Sequence, residues 1–283
     1  MKNPRRPLWE RGLRGLLSRG AMPAPPGIEE ERQNILSEKS DFFVRESYKT
    51  LRTNIAFALA GEDDCKVLIV TSAVQSEGKS ITSVNLAISF AELGQRVLLV
   101  DCDLRRPKLA RLLSRRGDTG LSNVLLQPRL LERAVCASGI PNLDLLFSGD
   151  IPPNPSELLG SPRMMKLIED LREKYDYVIL DPPPVNMVTD ACVLVPESHG
   201  VVFVVRANYS DRNSVLHAVE QMEYSKAKIL GFVLNGVRQQ DHYYGYRKYG
   251  YGRYRRYGYY GREYQSRHGR EDGPAQTREQ AAP

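Results

Sequence analysis

Two kinds of apolar pattern alternate along the chain from about residue 41 to residue 237. Continuous apolar runs occur at KVLIVTSA (66–73), RVLLVDCD (96–103), LDLLFSG (143–149), YVILDPPP (177–184), GVVFVVRAN (200–208) and ILGFVLNGV (229–237). A strand covered on both faces has no solvent side to alternate with, so such runs predict buried strands. Around them, apolar residues fall at helical spacing in SYKTLRTNIAFALA (47–60), VNLAISFAELG (84–94), KLARLLSRR (108–116), MMKLIEDLREKY (164–175) and SVLHAVEQMEYS (214–225). Gly94 stands where a helix C′ glycine would. Strands separated by helices predict βαβ units, hence an α/β fold with a doubly wound, mostly parallel sheet. No internal repeat is visible.

The ends depart from this pattern. Of the chain's 15 tyrosines, ten lie in residues 242–270, interleaved with glycine and arginine: Tyr243, Tyr244, Tyr246, Tyr249, Tyr251, Tyr254, Tyr257, Tyr259, Tyr260 and Tyr264. Such a segment has almost nothing aliphatic to bury, so it is expected to stay outside any core. The formal charge of +6 also belongs to the ends. Residues 1–20 carry six Lys/Arg against Glu10, and residues 243–270 carry eight against Glu263, which leaves the middle mildly acidic. These shifts divide the chain into a basic arm and linker (1–40), a folded domain (41–239) and a Tyr/Arg/Gly tail (240–283).

Within the arm, Trp9, Leu13, Leu16 and Leu17 share one helical face, with Arg11 and Arg14 off it. That pattern fits an interfacial helix on anionic lipid, and equally an arm without order; AMPAPPG (21–27) reads as linker. No run of about 18 apolar residues is present, so no membrane span is expected. Neither is a secretory signal. Cys65, Cys102, Cys136 and Cys192 are scattered, as expected of reduced thiols in a cytoplasmic protein.

Candidate chemistry gathers at the ends of three expected strands. The first runs into Ala73, Val74, Gln75, Ser76, Glu77, Gly78, Lys79 and Ser80, with Ile81 opening a helix. This is the P-loop order of strand, glycine-containing turn and GK[ST] at a helix start. Free N–H groups and the helix dipole attract phosphate, Lys79 adds a full charge, and the Ser80 hydroxyl suits Mg²⁺. Ala73 replaces the first glycine of the strict pattern, a small change because alanine is also compact. Asp101 and Asp103 end the second strand, and Asp181 ends the YVILD strand. Aspartate commonly caps such turns. In a parallel sheet, however, these three lie on the edge that carries the P-loop and can converge on Mg²⁺ and the β/γ-phosphates.

The P-loop, the DxDxR at Asp101–Arg105 and the DPP at Asp181–Pro183 together resemble the bacterial tyrosine kinases, over roughly residues 40–270 and including a C-terminal tyrosine cluster. The resemblance implies a P-loop NTPase architecture like that of partitioning ATPases. It also implies an ATP- and Mg²⁺-dependent protein-tyrosine autokinase that regulates capsular or exopolysaccharide synthesis. Lys79 would bind the β/γ-phosphates, Ser80 and Asp101 would hold Mg²⁺, and Asp103 would be the catalytic carboxylate beside the incoming phenol. Asp181 would position the metal or its water. The ten tail tyrosines would be the acceptors.

In the family's ring-forming E-x-x-R-x-x-R helix, the matching residues here are Glu46, Lys49 and Arg52. Lys49 departs from the family's arginine and loses its bidentate fork. In the wider group of related ATPases an asparagine at the position of Asn235 reads adenine; a turn-forming Asn-Gly is the alternative. Implied partners are a separate transmembrane chain-length-regulator-type activator, a phosphotyrosine phosphatase and polysaccharide-synthesis proteins as substrates. The expected place is the cytoplasm, at the inner face of the membrane.

Two other functions fit parts of the sequence. Partitioning and division-site ATPases carry a second lysine five positions before the P-loop lysine, where this chain has Val74. An Arg/Tyr/Gly segment also suits nucleic acid by phosphate contact and stacking. That reading leaves the P-loop and the three aspartates without a role, so no specific nucleic acid is expected.

Overall fold

The computed structural model describes residues 27–62, 65–115 and 117–237. The basic arm, both aspartates at 63–64, Arg116 and all ten tail tyrosines lie outside the described residues. Among the described residues seven strands form one sheet: β1 (Lys66–Ser72), β2 (Val97–Asp101), β3 (Val135–Ala137), β4 (Leu143–Leu146), β5 (Tyr177–Asp181), β6 (Gly200–Arg206) and β7 (Ile229–Asn235). Their order across the sheet is β3-β4-β2-β5-β1-β6-β7. All neighbours are parallel except the short β3, which runs antiparallel to β4.

The apolar runs divide residue by residue between two core layers. Val67 and Ile69 of β1, Leu98 and Val100 of β2, and Val201, Phe203 and Val205 of β6 enter one layer. Leu68, Val70, Val97, Leu99, Val202 and Val204 enter the other. Successive side chains of a strand point to opposite faces, so burial on both faces demands apolar residues at every position. Phe90 and Tyr177 stack in the second layer with ring centroids 3.9 Å apart.

Helix Lys79–Ala91 follows β1 after the turn at residues 73–78 and is buried from Ser80 to its end. It begins five residues before the apolar periodicity does. Ser80, Thr82 and Ser83 break that periodicity, yet the structure buries them. The helix expected over 108–116 is confined to Leu109–Leu112. The Lys108 and Leu109 N–H groups are committed to Asp101, and Ser114 takes a left-handed φ of 53°, which ends the turn.

Residues 28–40, within the stretch expected as arm and linker, are partly built onto the body. Ile28–Gln33 is helical, Leu36 is buried, and the Leu36 N–H donates to Asn85 Oδ1 at 2.8 Å. Lys108 pairs with the buried Glu31 across this contact. Helix Phe42–Ala58, capped by Asp41, packs on helix Lys79–Ala91 and starts earlier than expected. Among the described residues no helix is long and apolar enough to cross a membrane.

Candidate active site

The site forms on the carboxyl edge of the three central strands, where β5 separates β2 from β1. From β1 the chain turns through residues 73–78, with Ser76 at φ 64° and Gly78 at φ 93°. Left-handed residues curl the backbone of such a loop and leave its N–H groups pointing inward, a concavity suited to anions. Lys79 and Ser80 open the helix beyond, so the positive end of its dipole faces the same space.

The loop is held from below and from one side. Glu77 is buried, and its carboxylate accepts from the Val74 N–H at 2.8 Å and from the Ser210 hydroxyl. Burial raises its pKa, against these hydrogen bonds. Arg206, at the end of β6, donates to Ser76 O at 3.0 Å. Asn235, at the end of β7, donates to Glu77 O at 3.0 Å and accepts from the Gly236 N–H at 2.8 Å. Of the expected nucleotide-binding residues, Ala73, Glu77, Ser80 and Ile81 are thus buried, Gln75 is exposed, and Val74, Ser76, Gly78, Lys79 and Asn235 lie between.

The three aspartates do converge. Asp101 and Asp181 are register partners across β2 and β5. Lys79 Nζ lies 3.4 Å from Asp181 Oδ1 and 3.7 Å from Asp103 Oδ2. Burial pushes the lysine's pKa down, but the three carboxylates outweigh it and hold the ammonium above its usual range. Asp101 is pushed up to about 7, first by burial and then by the Asp181 charge beside it. Burial also raises Asp103, with Lys79 opposing.

Backbone groups fix the first two carboxylates. Asp101 accepts from the N–H groups of Asp103, Lys108 and Leu109 at 3.1–3.2 Å. Asp103 accepts from the Arg106 N–H at 2.9 Å. Asp181 Oδ1 accepts from the Ser83 hydroxyl at 3.0 Å, while its buried Oδ2 has no hydrogen-bond partner.

A buried carboxylate oxygen without a donor, in a cluster of three acids against one lysine, fits a cation. Among the described residues no three His, Cys, Asp or Glu side chains form a ready metal cage. Mg²⁺ needs none, because it keeps several waters and shares phosphate oxygens with one or two protein groups. Ser80, Asp101 and Asp181 could supply those groups. Sequence reasoning missed Ser83, whose only signal is a hydroxyl four residues beyond Lys79, and it missed Arg206 and Ser210, which carry none.

Glu46, Lys49 and Arg52 lie elsewhere, on helix Phe42–Ala58. Lys49 pairs with Glu46 at 2.7 Å, and Arg52 donates to Ser89 O within the same chain.

A family model described as an AAA domain matches residues 65–230. Tyrosine-protein kinase YwqD of Bacillus subtilis is 42% identical over 202 residues, 71% of this chain and 85% of that protein. Tyrosine-protein kinase CpsD of Streptococcus agalactiae is 39% identical over 72% of this chain and 89% of its own length. Among solved structures, the kinase domain of Escherichia coli tyrosine kinase ETK superposes with a TM-score of 0.67 at 30% identity, covering 77% of this chain and 89% of that domain. With more than two thirds of the chain aligned to named tyrosine kinases, and with the loop, the lysine and the carboxylates gathered on one sheet edge, the chain belongs to the bacterial tyrosine kinases.

Proposed function

We propose that this kinase transfers the γ-phosphoryl group of ATP to the tyrosines of its own tail, on a neighbouring copy of the chain, and to partner proteins. One observation carries the site assignment: the P-loop lysine lies between Asp103 and Asp181, whose Oδ2 lacks a donor. The loop's N–H groups and Lys79 bind the β/γ-phosphates and hold them in line with the acceptor. Ser80, Asp101 and Asp181 would hold Mg²⁺, which would supply charge neutralisation there. Asp103 faces the acceptor and takes the phenol proton as the oxygen attacks phosphorus and the bond to ADP breaks. Such chemistry depends on positioning and charge more than on covalent participation. The Asn235 amide has a second N–H besides the one on Glu77 O, and would offer it to adenine.

Tyr243, Tyr244, Tyr246, Tyr249, Tyr251, Tyr254, Tyr257, Tyr259, Tyr260 and Tyr264 are the proposed acceptors. Helix Phe42–Ala58 is the proposed contact between copies in a ring. A separate transmembrane activator would hold the kinase at the inner face of the membrane, and a phosphotyrosine phosphatase would reverse the modification.

The test is anti-phosphotyrosine detection after incubation of the full chain with ATP and Mg²⁺, with and without the activator's cytoplasmic segment. Lys79→Met should lower labelling by on the order of 10²–10³-fold, the scale seen when one preorganised charge-stabilising group is removed. Equal labelling of Lys79→Met and wild type would defeat the assignment of Lys79. Labelling of Tyr-to-Phe tail variants at the wild-type level would defeat that of the tail.

A further inference from the structure

Three loops on the carboxyl edge meet at one buried carboxylate that no part of the mechanism uses. Asp190 is fully buried, at the start of the short helix Asp190–Val193, nine residues beyond Asp181. Its Oδ2 accepts from Arg105 Nε at 3.1 Å, and its Oδ1 accepts from Arg105 Nη2 at 3.3 Å. Ser156, in helix Pro155–Leu159 beyond β4, donates its hydroxyl to Asp190 Oδ1 and accepts from Arg105 Nη2 at 3.0 Å. The group therefore joins the loop after β2, the loop after β4 and the loop after β5.

Its geometry bears on Asp103. Arg105 is two residues beyond Asp103, and the Arg106 N–H donates to Asp103 Oδ1. A planar guanidinium gripped at two nitrogens leaves this backbone little freedom to rotate. Asp190 itself is too deep in the protein to meet an acceptor. Burying an aspartate is costly unless it is paired and hydrogen-bonded, and here one arginine and one serine do both. The arrangement thus places a buried aspartate, held by an arginine whose side chain is 39% exposed, beside the loop whose position the chemistry requires.

We propose that Asp190 is a positioning residue for phosphoryl transfer. Through the Arg105 fork and Ser156, it sets the β2 loop so that the Asp103 carboxylate faces Lys79 and the incoming phenol. It is not proposed to hold the nucleotide, because among the described residues Asp190, Arg105 and Ser156 make their side-chain hydrogen bonds with one another and none with residues 73–80. The inference rests on the assignment of Asp103 to the reaction.

The test uses the full chain, with initial labelling rates measured against ATP concentration and nucleotide affinity measured separately with fluorescent ADP. Asp190→Asn and Arg105→Lys should each lower kcat by about tenfold or more, with ADP affinity within about twofold of wild type. Because both act through one contact, the double variant should be no worse than the poorer single one. Ser156→Ala, which leaves the charges in place, should give a smaller loss of the same kind.

Losses that multiply in the double variant would overturn the proposal, as would ADP affinity falling in step with kcat. A wild-type or higher kcat in Asp190→Asn would also overturn it. Asp103→Asn is run alongside. If Asp103→Asn keeps wild-type kcat, the assignment of Asp103 fails; if it is inactive while Asp190→Asn is unaffected, only the positioning role fails.

Discussion

Helix Lys79–Ala91 and helix Phe42–Ala58 pack against each other, and each contains residues that do not suit its surroundings, in opposite senses. The first is buried along nearly its whole length, and its misfits are polar: Ser80, Thr82, Ser83 and Asn85 in the interior. The second is half outside, and its misfits are apolar: Phe42, Phe43 and Val44 are exposed, and Phe57 is 76% exposed. Buried hydroxyls cost stability unless they meet partners, and exposed phenylalanines gain nothing in a single chain. On the inner helix Ser80 opens the proposed phosphate and cation site, whereas Asn85 is taken up within the chain, accepting from the Leu36 N–H and donating to Asn34 O. On the outer one the exposed phenylalanines lie on the helix of the proposed ring contact. The charged residues expected to make the ring contact, Glu46, Lys49 and Arg52, are already satisfied within one chain. The phenylalanines beside them are not.

Three variants sharpen that contrast. The largest effect is expected at Gly78, where the inner helix begins. A Cβ there would stand 1.9 Å from Asn235 Nδ2 on a backbone at φ +93°. Gly78→Ala should therefore displace the Asn235 amide from Glu77 O and add about 1–2 kcal/mol of backbone strain. ADP affinity should fall at least tenfold, measurable by fluorescence titration, and unchanged affinity would show that the loop tolerates loss of its β7 brace.

Next comes the outer helix. Phe42→Ser with Phe43→Ser should shift the chain towards monomer in sedimentation, with a thermal midpoint within a few degrees of wild type, as surface substitutions give. An unchanged assembly would remove these phenylalanines from the interface.

The smallest effect concerns pH. The folded pKa of Asp101, about 7, lies above the unfolded value near 4. The folded state therefore binds this proton more tightly, and the stabilisation is fully present below about pH 4 and lost as pH rises towards 7. The nucleotide- and metal-free protein should melt a few degrees higher at pH 5.5 than at pH 8. Asp101→Asn should flatten that dependence, and a wild-type slope in this variant would locate the titration elsewhere.

The parts of the molecule legible in the sequence are those where every residue in a run serves one layer of core. The runs of β1, β2, β5 and β6 could be nothing but buried strands. Their terminal aspartates then followed from parallel topology, because one sheet edge must gather Asp101, Asp103 and Asp181 beside Gly78-Lys79-Ser80. Other parts left no periodic trace. β3 is three half-exposed residues, and the helices at 121–126, 131–134, 155–159 and 190–193 are too short to show a face. The early start of the P-loop helix is written in hydroxyls that periodicity discards. Asp190 and Ser156 are 34 residues apart and meet Arg105 only through the stacking of three loops. That is tertiary information, with no local signal.

The Asn235 brace has a further consequence for motion. It hangs on β7, an edge strand whose residues are all only partly buried and whose described sheet partner is β6 alone. Edge elements with little burial open locally at far lower free energy than a core strand such as β1. Between its covalent ends, on β1 and on the buried helix Lys79–Ala91, the loop thus also hangs on one side-chain bond from the edge of the sheet. When β7 opens, Glu77 O loses its donor and the loop loosens without any unfolding of the core. Local opening at the rim of the sheet is thereby coupled to the proposed phosphate-binding loop.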